Sequence, residues 1–242
     1  IEKVSKNTLL LSDLLYSEKF SARAPGNSPL KVGDMLQSFI IKNAQMHDIN
    51  GLIRLAAREQ KEVLLKNFLL RREAMKSLNQ AFISANGSAS IHFNDVETAK
   101  NNFSTFVSSF HNEQWAEQLG EPRLITLAEV PSTLFSGYAL LSELNNFYLS
   151  SFYPLLERAL TSSLDQVTAR AIADIVASSE SSVPFTTLKR LVNEREAEMV
   201  GFFSLLDEKL DNGKDLLKDI CARRGHSPDY EPLPVFTREI GE

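Results

Sequence analysis

Apolar residues recur at intervals of three and four along almost the whole chain, and runs alternating with period two are nearly absent, as expected for helices with one buried face. The spacing predicts an all-α fold, an irregular multi-helix bundle of about eight helices with one or two long amphipathic members. A first helix is expected over Lys6–Phe20, with Leu10, Leu11, Leu14 and Leu15 inward. The loop Ala22–Gly33 ends it, because Pro25, Gly26 and Pro29 do not continue a helix. A second helix, Asp34–His47, buries Met35, Leu36, Phe39 and Ile40 behind Asp34 as N-cap, and Asn50-Gly51 interrupts the helical pattern after it.

The clearest element is a third helix over Leu52–Ser84. At about 100° per residue, Ile53, Ala56, Val63, Leu64, Leu70, Met75, Leu78 and Phe82 share one half of its circumference, and Arg54, Arg58, Lys61, Glu62, Lys66, Arg72 and Lys76 the other. Leu55, Leu65 and Leu69 fall outside the apolar half, so the helix carries a second contact surface. Arg71 lies near the middle of the apolar half. There it snorkels outward, pairs with a buried carboxylate such as Glu143, or marks where that face meets a partner.

Downstream, Asn86-Gly87-Ser88 turns the chain and Ala89–Phe93 is extended. Asn94 with Glu97 caps a helix over Asp95–Leu119 that buries Ala99, Phe103, Phe106, Val107 and Phe110. Leu124–Val130 is a short helix or an extended connector. Ser132–Leu156 holds one charge, Glu143, and fourteen apolar residues in 25, which predicts a central buried helix kinked or ended by Pro154. Ser163 with Gln166 opens a helix over Leu164–Ser178, and the serine-rich stretch 178–185 is the candidate sub-domain boundary. A long helix then runs from Thr186, relaxes near Asn212-Gly213 and ends at the C′ glycine Gly225. Residues 1–225 thus read as a single helical domain, and 226–242, with Pro228, Pro232 and Pro234, as an extended or mobile tail.

Composition changes this picture only by exclusion. With 43% hydrophobic and 24% charged residues in 242, the chain is neither disordered nor fibrous. A net charge of −5 argues against a nucleic-acid partner, which needs an excess of Lys and Arg. The charge is uneven: residues 1–82 carry 13 Lys and Arg against 8 Asp and Glu, and residues 83–242 carry 13 against 23. The two parts either attract each other or present opposite surfaces to partners.

Cys221 is the only cysteine, so no intrachain disulfide or multi-cysteine zinc site is possible. His47, His92, His111 and His226 lie on separate segments and no Glu-x-x-His occurs, so neither a metal nor another cofactor is expected. The nucleophile elbow, the P-loop and the Gly-x-Gly-x-x-Gly turn are all missing.

Three features remain. His111 and Trp115, four residues apart, can touch on one helix face, as a ligand-binding pair or as the edge of a core. Glu143, in an apolar helix, has its pKa raised by burial or stands on a thin solvent-facing ridge with Ser132, Ser136, Asn146 and Ser150. Met199, Phe202, Phe203, Leu205, Leu206 and Leu210 make a helix apolar over more than half its circumference, to be covered from two sides or to expose a patch along Val192–Leu210. Arg71, Met199, Phe202 and Leu205 are therefore the candidate interaction residues.

The resulting expectation is a non-enzymatic helical interaction module, an adaptor, regulator or scaffold, that binds another protein or a second copy of itself. One alternative is an all-α enzyme or ligand carrier with a pocket among Phe103, Phe110, Trp115, Tyr138 and Tyr148. Another is a pore-forming protein that hides Ser132–Leu156 until it inserts into a membrane. A cytoplasmic location is expected, and the opening at Ile1 rather than Met suggests a processed or excised fragment.

Overall fold

The computed structural model describes residues 1–12, 19–23, 30–43, 46–56, 60–161, 164–178, 183–225 and 234–237. Among these residues eight α-helices stand beside eleven strands, so the fold is mixed α/β and the expectation of an all-α bundle is overturned. The chain divides into two compact units, one built from Ile1–Leu70 with Gly225–Ser227 and the other from Arg71–Arg224 with Pro228–Glu242.

The first unit replaces both expected N-terminal helices with strands: β1 (Lys3–Val4), β2 (Thr8–Ser12), β3 (Lys19–Arg23), β4 (Met35–Asn43) and β5 (Met46–Ala56). They form a five-stranded sheet in the order β1-β2-β3-β5-β4, with β3 and β5 parallel and the other neighbours antiparallel. Along β2, Leu9 and Leu11 are buried while Leu10 between them is only partly so, which is the period-two pattern of a strand. Leu9 and Leu11 join Ala22 and Leu30 in a small core flanked by Ile1, Phe20, Leu36 and Ile49. A leucine run this short fits helix and strand templates alike, and cross-strand pairing decides between them. Leu14 and Leu15 lie outside the described residues. Asp34 does cap, but it caps a turn: its Oδ2 accepts from the Lys31 N–H at 2.7 Å. Asn50-Gly51 sits inside β5, opposite the register shift between Gln37 and Phe39 of β4, the mark of a β-bulge.

Helix α1 (Lys61–Asn86) begins at Lys61 rather than Leu52, and it ends on Gly87, whose φ of +70° suits a glycine after a helix. Strand β6 (Ser90–Phe93) is the extended segment that was expected. Asp95, one residue past the expected cap, holds the start of α2 (Val96–Ser109) by accepting from the Thr98 N–H at 2.8 Å. The helix expected to reach Leu119 breaks at Phe110–Asn112. Asn112 then caps α3 (Glu113–Leu119).

The span read as one buried helix is instead a β-hairpin followed by a helix. After β7 (Glu121–Pro122), β8 (Leu124–Thr126) and a single 3-10 turn at Ser132–Leu134 come β9 (Tyr138–Glu143) and β10 (Asn146–Ser150), then α4 (Phe152–Thr161). β9 and β10 pair from Glu143↔Asn146 to Ala139↔Ser150, leaving Leu144-Asn145 as the turn. Pro154 lies in the first turn of α4, where its missing N–H costs no helical bond. The sheet order is β6-β9-β10-β8, with only β8 and β10 parallel.

All five residues of β10 are buried because helices cover both faces of this sheet. On one face the Phe147 ring packs on Phe82 of α1 and on Phe103 and Phe106 of α2, with centroids 5.7, 5.2 and 5.8 Å away. On the other face Ala139, Leu141 and Tyr148 join a large core with the C-terminal helices.

Those helices are α5 (Gln166–Ala177), capped by Asp165 rather than Ser163, then α6 (Phe185–Glu194), α7 (Glu196–Phe203) and α8 (Gly213–Arg224). The long helix expected after Thr186 is thus three: it is interrupted not only before Gly213, near where it was expected to relax, but also at Arg195. Glu196 stitches two of them, its Oε1 accepting from the Gly213 N–H at 2.6 Å. Gly225, at φ +66°, closes α8 as expected. Buried Arg224 donates to the Val183 carbonyl at 2.8 Å and to the Val176 carbonyl, so a guanidinium satisfies the end of α5. Burial pulls its pKa down to about 10. Part of the supposed mobile tail is paired: β11 (Phe236–Thr237) runs antiparallel to β7, and Phe236 is buried. The rest of the tail lies outside the described residues.

Candidate functional site

Three places in the structure combine exposure or polarity with a specific arrangement. The first is the N-terminal half of α1. Val63, Leu64 and Leu69 are 59%, 45% and 49% exposed. At about 100° per residue they point in three different directions around the helix, so no single apolar stripe accounts for them. Leu69 is one of the residues that had fallen outside the expected apolar half. Arg71, two residues further on, is partly buried, and its Nε has no hydrogen-bond partner among the described residues.

The second is a groove in the Arg71–Arg224 unit, lined by Ser77, Leu78 and Ala81 of α1, by Ser109 through Asn112, and by Trp115 of α3. It exists because α2 stops at Ser109 and the chain restarts at Asn112, leaving a notch against α1. Its volume is about 360 Å³, within the range of small-molecule sites. His111 and Trp115 both line this notch, but His111 lies in the break between α2 and α3 and does not share a helix with Trp115. Of the five aromatics expected to gather in a pocket, only Phe110 and Trp115 line this groove. Phe103 and Tyr148 are core residues, and the Tyr138 hydroxyl donates to Glu129 at 2.9 Å.

The third is an ionic cluster around Glu143. This side chain is 4% exposed, and it is not on a solvent ridge. Its Oε1 accepts from the Thr187 hydroxyl at 2.7 Å and from Arg190 Nη2 at 3.1 Å, both on α6. Arg190 also reaches Glu194 at 3.3 Å. Arg190, not Arg71, is therefore the cation that Glu143 meets. Burial pushes the Glu143 carboxyl above the usual carboxylate range, against the pull of Arg190 and Thr187. Burial opposes the charge on Arg190, but the neighbouring Glu143 and Tyr153 outweigh it and hold its pKa above normal. Tyr153, whose phenol is also pushed up by burial, neighbours Ser90 and Glu157. Glu157 in turn lies 2.8 Å from His92 Nε2. The cluster ties the end of β9 to α4, α6 and the edge strand β6. The reading of Ser132–Leu156 as a helix hid it, because only pairing with β10 turns Glu143 toward α6.

The C-terminal candidates are packed inside. Met199 is fully buried, Phe202 and Phe203 nearly so, and Leu205 and Leu206 pack against the same core. Helix α7 is covered from several sides within the unit, which is why it is apolar over so much of its circumference. Cys221 is a buried thiol outside any disulfide.

Among the described residues no group of His, Cys, Asp and Glu is arranged to hold a metal ion. No helix among them is long and apolar enough to cross a membrane. The proposed pore-forming helix is a hairpin and therefore does not exist in this fold. The chain matches no protein family model, and no curated protein or solved structure shows a significant likeness to it.

Proposed function

We propose that this chain is a non-enzymatic protein–protein interaction module whose docking element is the N-terminal half of α1. The observation that supports this is the outward exposure of Val63, Leu64 and Leu69 on successive turns of one helix. Large apolar side chains left in water gain by being covered, and because these three point in different directions the partner wraps the helix rather than touching one face of it. Lys61 and Lys66 outnumber Glu62 on this stretch, so the matching surface is apolar with a carboxylate rim. A second copy of this chain qualifies through its acidic portion, and so does an acidic partner protein.

Site-specific photo-crosslinking tests the reading. A benzophenone amino acid at Leu64 or Leu69 is expected to give one discrete protein adduct, and the same group at exposed Glu208 none. No adduct from either helix position, or the same adducts from Glu208, overturns it. The mass of the adduct separates a second copy from another protein.

A further inference from the structure

We propose that the groove between α1 and the α2–α3 break binds a small, uncharged, planar aromatic molecule, one or two fused rings in size, carrying a hydrogen-bonding group. The floor is apolar, made by Leu78 and Ala81, and the rings of Phe110 and Trp115 contribute walls. Phe110 is 40% exposed although it packs on Phe106 at 4.9 Å between centroids, so one of its sides is supported and the other faces outward. Flat apolar walls favour an occupant that stacks.

Charge narrows the class further. Among the described side chains that line the groove none is Lys, Arg, Asp or Glu, so an ionic ligand loses its hydration against them without a counter-charge. Polar groups are nevertheless present at the rim. Two of the four are engaged: the Ser109 hydroxyl donates to the Thr105 carbonyl at 2.8 Å, and Asn112 Oδ1 accepts from the Trp115 N–H at 3.2 Å. The Ser77 hydroxyl and the His111 ring have no partner among the described residues, and they supply the donor and acceptor that orient a ligand edge. A volume of about 360 Å³ accommodates a bicyclic ring system with its substituents. None of these residues belongs to the exposed stretch Val63–Leu69, so the groove and the docking helix are independent proposals.

Trp115 is the only tryptophan of the chain, so its fluorescence reports on this groove alone. The probe is 7-methoxycoumarin, an uncharged bicycle that accepts energy from indole. Coumarin-3-carboxylate serves as the charged control and cyclohexanol as the aliphatic one. The expected result is saturable quenching of Trp115 by 7-methoxycoumarin and at least tenfold weaker binding of both controls, with cyclohexanol followed by competition. Phe110→Ala, which removes an exposed wall, and Ala81→Leu, which fills the floor, are each expected to weaken binding about tenfold or more with an unchanged circular dichroism spectrum. Two variants at opposite sides keep the test decisive if one fails to fold. Linear, unsaturable quenching overturns the proposal, as does equal binding of the carboxylate. So does unchanged affinity in the folded variants.

Discussion

Arg190 Nη2 lies 3.1 Å from Glu143 Oε1, joining two residues 47 positions apart in the chain and tying the end of β9 to α6. Neither residue has another full counter-charge as close and as buried, since Glu194 on the far side of the guanidinium is 53% exposed. The pair therefore behaves as a buried ion pair with one rim contact.

Removing either end of it has unequal consequences. Arg190→Ala leaves a buried carboxylate with only Thr187, and is expected to cost about 3 kcal/mol. Glu194→Ala removes an exposed i,i+4 contact and is expected to cost no more than about 0.5 kcal/mol. Urea unfolding of both variants checks this, and equal losses would show that Glu143 is not the principal partner.

The pH dependence comes from the direction of the Glu143 shift. Its folded pKa is raised above the ordinary value of 4.5, so between those two values the folded state binds more protons than the unfolded state. Stability contributed by this group is then present at low pH and declines as pH rises through the window. Exposed Asp95, Asp165 and Asp215, whose pKa values are lowered, contribute the opposite trend in wild type and variant alike. The difference in urea midpoint between wild type and Glu143→Gln, measured from about pH 4 to about pH 7, is expected to move against wild type as pH rises. A difference that moves the other way contradicts the assigned direction.

Two helical glycines separate packing from backbone entropy. A Cβ added at Gly213 would stand 2.5 Å from Val192 Cγ1 and 3.0 Å from Glu196 Oε1, whereas one at Gly201 would meet nothing within 4 Å. Gly213→Ala is expected to destabilise by about 1–3 kcal/mol and to disturb the Glu196 bond. Gly201→Ala is expected to stabilise by about 0.5–1 kcal/mol. Thermal melts of both, run side by side, read the sign directly.

Phe202→Asp and Leu205→Asp test where the faces of α7 and the turn after it are covered. Phe202 is nearly buried and Leu205 packs against the same core, so both substitutions are expected to lower the melting temperature, Phe202→Asp more severely. A Leu205→Asp protein that melts like wild type would restore the idea of a free patch there.

Several local features were readable directly from the residues. The C-terminal half of α1, the extended Ala89–Phe93 segment, the helix opening near Asp95, the helix Leu164–Ser178 and the glycine stop at Gly225 all derive from caps, turns and a 3.6-residue period. His111 and Trp115 were singled out by spacing alone, and both line the groove for a different reason, the break between α2 and α3.

Tertiary structure decided the rest. Leu9–Leu11 is an apolar run that a helix and a strand bury equally well, and Met35, Leu36, Phe39 and Ile40 have helical spacing; in both segments only the neighbouring strands supply the hydrogen bonds that select the strand. Tyr138–Ser150 shows no alternation because α1 and α2 cover one face of its sheet and α4 to α8 the other, so the usual period-two signal is erased by burial on both sides. The turn Leu144-Asn145 reverses the chain, and with that reversal Glu143 faces Thr187 and Arg190, a juxtaposition no local spacing encodes. Local propensity reaches only a few residues along the chain. Which face of an element is covered, and by what, depends on partners 40 or more positions away.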